Sequence, residues 1–336
     1  MTRSSCCNRN RVSARMACVF YLTRQNVNHN RHLDCPRQQT TRKPSMTLRA
    51  AADIPTDWPH REASARTSAA GLDWHVQLAG EGPLVVLLHG TGSSTHSWAR
   101  IWPLLTSHAR VLAMDLPGHG FTRGADFSQL DLRTISHQLD TLLDTLGLGA
   151  PALVAGHSAG LPLAMRWALD GHHTPASLIG FAPSLVPPPP SYSLFLGPLI
   201  NPLFTSGPMA SLLATTIGPT GMVDRLLDST ASVLDEDQRR HYRTLFAEPT
   251  HVRGAMNFMA AADLPLLLED APRLQMPMTL VLGDQDTWVP LQPLLQVIER
   301  YLPQAQVQRW HAGHLLHEIE PERAAATILD SLVRQA

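Results

Sequence analysis

Beyond Cys35 this 336-residue chain has no cysteine, and beyond Lys43 it has no lysine. All four cysteines, Cys6, Cys7, Cys18 and Cys35, fall in the first 45 residues. Residues 46–336 can therefore form neither a disulfide nor a thiolate metal site, which fits a reducing cytoplasm. The single lysine is followed by Pro44. A phosphate-cradling Gly-x-x-x-x-Gly-Lys-Ser/Thr loop is thus excluded, and with it an ATP-driven motor role. Long apolar runs are missing too. A membrane helix needs about 18 uninterrupted apolar residues, and the best candidate, residues 194–204, is cut by Gly197, Pro198, Asn201 and Pro202. No membrane span is expected.

Charge is unevenly spread. Residues 1–45 carry nine basic residues and one acid, Asp34, which leaves 18 basic and 27 acidic residues in 46–336, a net charge of −9. An acidic body argues against nucleic acid as a partner. The break at Met46 predicts a basic, disordered leader over 1–45. It reads either as a targeting peptide or, the favoured reading, as a stretch translated upstream of a start at Met46.

Strand and helix signals then alternate from Trp74 to Phe181. Ile135, Leu139, Leu142, Leu143 and Leu146 share one helical face, with Gly147 placed to end the helix. Such βα alternation implies a mostly parallel sheet covered on both faces. One junction stands out. The apolar run Ala152-Leu153-Val154-Ala155 leads into Gly156-His157-Ser158-Ala159-Gly160. A Gly-x-Ser-x-Gly turn between a buried strand and a helix is a nucleophile elbow, which holds a serine hydroxyl at the sheet edge beside a helix N-terminus.

A hydroxyl needs a base, and the base needs a carboxylate to orient it. Residues 278–282 form an apolar run followed by Gly283-Asp284-Gln285-Asp286-Thr287-Trp288-Val289-Pro290, and residues 307–310 precede His311-Ala312-Gly313-His314. Ser158, Asp286 and His314 thus occur in hydrolase order. Upstream, residues 84–88 lead into His89-Gly90-Thr91-Gly92, where the Thr91 N–H can face that of Ala159 to form an oxyanion hole. His311, His314 and His317 recur every three residues, but Gly313 and the preceding strand break any helix there, so no metal site is expected. No cofactor is expected either.

After Phe181 the rhythm breaks. Pro187-Pro188-Pro189-Pro190 marks an exit from the core, and helical, Leu- and Met-rich sequence runs until Met278. The predicted layout is a hydrolase core over 46–186 and 271–336, with a helical lid over 187–270 inserted after the sixth strand. Phe195, Phe204, Met209, Met256, Phe258 and Met259 form either the lid's own core or the lining of an apolar substrate cavity above Ser158. Trp288 either walls that pocket or packs against the lid.

These residues resemble the α/β-hydrolase family from about Asp73 to the C-terminus, with Asp115-Leu116-Pro117-Gly118-His119-Gly120 as a scaffold landmark. Residues 57–64, 74–77 and 89–98, the elbow and His251-Val252-Arg253-Gly254-Ala255-Met256 further resemble a BchO-type, magnesium-chelatase accessory subfamily from bacteriochlorophyll gene clusters. The resemblance implies a cytoplasmic protein, at most peripheral to the photosynthetic membrane. Its implied partners are an apolar, tetrapyrrole-like small molecule and, transiently, magnesium chelatase. It favours Asp286 over Asp284 as the acid, because Gly-x-x-Asp before Val-Pro is the family's placement. A serine at the elbow disfavours haloalkane dehalogenase and epoxide hydrolase chemistry, which uses aspartate there. The expected activity is serine hydrolysis of a hydrophobic ester. The alternative is a non-catalytic tetrapyrrole-binding or assembly factor on a hydrolase scaffold.

Overall fold

Four strands with every residue buried lie side by side, and that burial dictates the architecture. In the computed structural model, which describes residues 48–187 and 221–334, the described strands are β1 (Arg49–Ala50), β2 (Ser64–Ala69), β3 (Leu72–Ala79), β4 (Leu84–Leu88), β5 (Arg110–Met114), β6 (Leu153–His157), β7 (Leu178–Phe181), β8 (Met278–Gly283) and β9 (Gln306–Trp310). They form one sheet in the order β1-β2-β3-β5-β4-β6-β7-β8-β9. β1, β2, β3 and β5 pair antiparallel in sequence, and all pairs from β5 through β9 are parallel.

Helices cover both faces. Those before the insertion are α1 (Trp102–Thr106), α2 (Leu132–Leu146) and α3 (Gly160–Asp170). Along β4, Val86 and Leu88 join the apolar cluster under α2 and α3, whereas Val85 and Leu87 join Trp98, Ile101, Trp102 and Leu105 on the other face. This two-residue alternation makes each central strand apolar throughout. α2 begins at Asp131, whose carboxylate accepts the Thr134 N–H at 2.9 Å, and stops at Gly147 with φ 62°. Its buried face carries the five predicted apolar residues.

Between β7 and β8 the described part of the insertion comprises α4 (Met222–Asp228), α5 (Glu236–Phe246), α6 (Pro249–Ala261) and α7 (Leu264–Asp270). This helical segment follows Leu178–Phe181, the strand expected to precede the lid; it counts as the seventh here because the two-residue β1 carries no hydrophobic alternation that sequence could reveal. The leader, together with Phe195, Phe204 and Met209, lies outside the described residues. After β8 come α8 (Leu291–Tyr301), and after β9 α9 (Leu316–Ile319) and α10 (Pro321–Val333). Among the described residues, no helix is long and apolar enough to cross a membrane.

One contact pins the insertion to the sheet. A Cβ on Gly254 of α6 would lie 1.8 Å from the Gly118 carbonyl oxygen, so the two backbones touch. Beside it, His251 accepts the Gly120 N–H at Nδ1 (3.0 Å) and donates from Nε2 to the Gly92 carbonyl (3.2 Å). The turn it grips is held by Asp115, fully buried, whose carboxylate accepts from His75 and from the Thr95 and Phe121 N–H groups. Burial opposes ionisation there, but His75 and these bonds hold the Asp115 carboxyl well below the usual range.

Candidate active site

The parallel order turns back at β4, which lies between β5 and β6, so the loops after β4 and β6 diverge from a crevice at the C-terminal sheet edge. The candidate residues collect at this crevice. Ser158 directly follows β6 with φ 51°, left-handed backbone that a non-glycine residue adopts at a cost of about 1–2 kcal/mol. The tightness of the turn explains its flanking residues. A Cβ on Gly156 would sit 2.4 Å from the Gly160 carbonyl carbon, and one on Gly160 would sit 2.3 Å from the Leu88 carbonyl oxygen. Ser158 and Ala159 are partly exposed, and the residues on either side of them are buried.

His314 Nε2 lies 3.1 Å from Ser158 Oγ, and His314 Nδ1 lies 2.8 Å from Asp286 Oδ2. The His314 and Asp286 side chains are 4% and 2% exposed, so their bond is shielded from competing water. The other Asp286 oxygen accepts the N–H groups of Trp288 (2.8 Å) and Val289 (2.9 Å), which fixes the carboxylate. With Nδ1–H donating to Asp286, Nε2 presents its lone pair to the serine hydroxyl. Asp284, the competing acid, is exposed and pairs with His311 at 3.1 Å.

Across from the serine, the His89–Gly92 loop approaches so closely that a Cβ on Gly90 would lie 3.0 Å from Ser158 Cβ. His89 ties this loop down, donating from Nδ1 to the Gly90 carbonyl (2.8 Å) and accepting the Leu116 N–H at Nε2 (2.9 Å). Among the described residues, neither the Thr91 nor the Ala159 N–H is committed to another hydrogen bond. Two such donors beside a serine hydroxyl have the arrangement of an oxyanion hole.

Several residues besides Ser158 and Asp286 position His314. The Trp288 indole stacks on its ring at 5.4 Å and 24°. His157 donates from Nε2 to the His314 carbonyl at 3.0 Å. Burial, then the adjacent His317, hold His157 well below the usual imidazole range, so it is neutral. His317 stacks on His157 at 4.2 Å, and burial holds its imidazole down at about 3. Of the three histidines spaced by three, only His314 thus faces Ser158. Met256 is buried in α6 and Met259 is partly exposed one turn away.

The sequence profile of the alpha/beta hydrolase family matches residues 85–327. This chain belongs to the alpha/beta hydrolase family. It is 34% identical over 287 residues to the magnesium-chelatase 30 kDa subunit of Rhodobacter capsulatus, a match covering 83% of this chain and 98% of that protein. An alpha/beta hydrolase fold protein from Burkholderia ambifaria superposes with a TM-score of 0.67 at 26% identity, over 79% of this chain and 96% of that one. A thermophilic esterase from Thermogutta terrifontis superposes with a TM-score of 0.62 at 20% identity, covering 81% and 98%, and shares the fold.

Within this hydrolase scaffold, the insertion also braces the histidine. The His314 N–H donates to the Thr230 carbonyl (2.8 Å), the Leu315 N–H to Ser232 Oγ (2.9 Å), and Trp288 Nε1 to Ser229 Oγ (3.1 Å). Sequence reading missed residues 229–232, because a short turn 59 to 84 positions from its partners carries no motif. It also missed a group at the other sheet edge. Asp144, His172 and His173 converge there, although no local spacing links an acid to histidines 28 and 29 positions later.

Proposed function

We propose that this protein is a serine hydrolase acting on a hydrophobic ester, and that it serves magnesium tetrapyrrole synthesis as an accessory to magnesium chelatase. The observation that carries the chemistry is the Ser158–His314–Asp286 chain, with spacings of 3.1 and 2.8 Å, on a serine at φ 51°. In this reading Ser158 Oγ attacks the ester carbonyl as His314 Nε2 takes its proton. Asp286 stabilises the imidazolium, and the Thr91 and Ala159 N–H groups receive the oxyanion. Collapse breaks the acyl–oxygen bond and His314 returns the proton to the departing alcohol. Water, activated by the same imidazole, then hydrolyses the acyl-enzyme. Met256, Met259 and Trp288 supply apolar contacts for the substrate. No metal or other cofactor enters any of these steps.

The likeness to the Rhodobacter capsulatus subunit supports the pathway assignment and also favours a second reading, a tetrapyrrole-binding or assembly factor whose hydroxyl is dispensable. A fluorophosphonate probe separates them. Labelling of wild type and none of Ser158→Ala is expected, whereas no labelling of wild type, beside a control esterase that labels, refutes the hydrolase. Complementation of a pigment-deficient deletion strain with Ser158→Ala should fail; full restoration of pigment would establish the binding role.

A further inference from the structure

At the sheet edge opposite Ser158, the connection from α3 to β7 carries Gly171-His172-His173 beside the last turn of α2. His173 Nε2 lies 2.8 Å from Asp144 Oδ1 and His172 Nε2 lies 3.1 Å from Asp144 Oδ2. One ligand atom from each of the three residues falls within 4.8 Å of the others. The two imidazole rings are 4.4 Å apart and present the same nitrogen to the same carboxylate.

The loop is held in place from below. Asp140, one turn earlier on α2 and with a side chain 4% exposed, accepts the His172 N–H (2.9 Å), the His173 N–H (3.1 Å) and Trp167 Nε1 (2.8 Å). Its Oδ2 also lies 3.2 Å from His172 Nδ1. A carboxylate behind the distal nitrogen of a histidine is the arrangement that fixes the Nδ1–H tautomer and leaves Nε2 free to bind a metal.

We propose that Asp144, His172 and His173 form a binding site for a borderline divalent transition ion, of which Zn²⁺ is the representative. Two imidazole nitrogens and one carboxylate oxygen make three ligands, and solvent supplies the fourth. Bonds of about 2.0–2.2 Å around a tetrahedral centre require ligand atoms roughly 3.3 Å apart. The existing spacing needs only a modest closure of side chains, and the backbone stays where Asp140 holds it. The same donors select against Mg²⁺, which prefers an octahedral oxygen shell. The bound ion staples the end of α2 to the segment entering β7. It lies at the sheet edge away from the hydrolytic crevice, so its role is in binding and stability and does not depend on the proposed esterase reaction.

The test is calorimetric titration of the full chain with ZnCl₂ and with MgCl₂, paired with thermal melts. The four cysteines all precede residue 36, outside the described residues, and alkylation beforehand removes them as competing thiol ligands. Asp144 and His172 are solvent-exposed, with side chains 57% and 61% exposed, so Asp144→Asn and His172→Gln leave packing intact. His173→Gln is the third variant. Wild type is expected to bind one Zn²⁺ and to melt a few degrees higher with it, whereas each variant loses affinity at least about tenfold and the melting shift with it. Equal Zn²⁺ affinity and equal melting shift in wild type and all three variants overturn the proposal. Mg²⁺ binding as tight as Zn²⁺ overturns the ligand assignment in the same way.

Discussion

Replacing Glu318 by glutamine should make the protein more stable in a pH-dependent way. Glu318 is 2% exposed in α9, four residues beyond His314. Its Oε1 accepts the hydroxyl of Tyr242, from α5 in the insertion, at 2.5 Å. Burial pushes the Glu318 carboxyl up to about 8 from 4.5, against the hydrogen bond from Tyr242 and the pull of Arg100. The unfolded carboxyl ionises from about 4.5 upward while the folded one keeps its proton to about 8. The folded state therefore binds more protons across that window, and stability falls as pH rises from 4.5 to 8, levelling off above it. A shift of this size corresponds to about 5 kcal/mol when complete. Local relaxation and water penetration reduce what is measured, to roughly 2–4 kcal/mol. Glutamine keeps the acceptor for Tyr242 and removes the titration. Urea denaturation of both proteins at pH 5, 6, 7 and 8 should give similar stabilities at pH 5 and a gap of that order, in favour of Glu318→Gln, at pH 8. Parallel curves across the range would refute the argument, because they would mean that Glu318 titrates alike in both states.

Two further outcomes bear on the site and its frame. Asp286→Asn should lower kcat on a p-nitrophenyl ester about 10³–10⁴-fold with little change in KM, since the amide can donate to His314 Nδ1 and favours the wrong tautomer; unchanged kcat would remove Asp286 from the orienting role. Gly254→Ala should destabilise by about 3 kcal/mol or more, because its methyl meets a carbonyl oxygen at 1.8 Å. Gly149→Ala, with open space around it, is the control and should change stability by less than about 0.5 kcal/mol.

What could be read in advance was local in the chain. Each fully buried strand is a short apolar run, and Ser158 sits immediately after β6 and Asp286 three residues after β8, so both carried their context with them; β9 is mostly exposed and polar, and His314, four residues beyond it, was legible from its place in the order of the three residues. The Ile135–Leu146 face and the Gly147 stop are local in the same way. Contacts between distant segments were invisible. Tyr242 meets Glu318 across 76 positions, and Gly254 meets Gly118 through backbone alone, which leaves no side-chain pattern to notice. Thr230 contributes only its carbonyl, so its identity says nothing of its role. The same holds for the Asp144, His172 and His173 group, where the fold closes a distance that spacing rules do not cover. Expectations for the leader and for residues 188–220 concern segments outside the described structure.

The seating of α6 on the Gly118 turn gives the molecule a reporter of its own. The Gly120 amide proton is bonded to His251, so it can exchange with solvent only when α6 lifts away or the whole domain opens. With two backbones in contact beside it, lifting cannot be partial. The protection of that one amide therefore reads the free energy of detaching α6 from the turn at Gly118. Comparing it with amides in β6, buried at the centre of the sheet, would tell whether α6 detaches by itself or only with the rest of the domain.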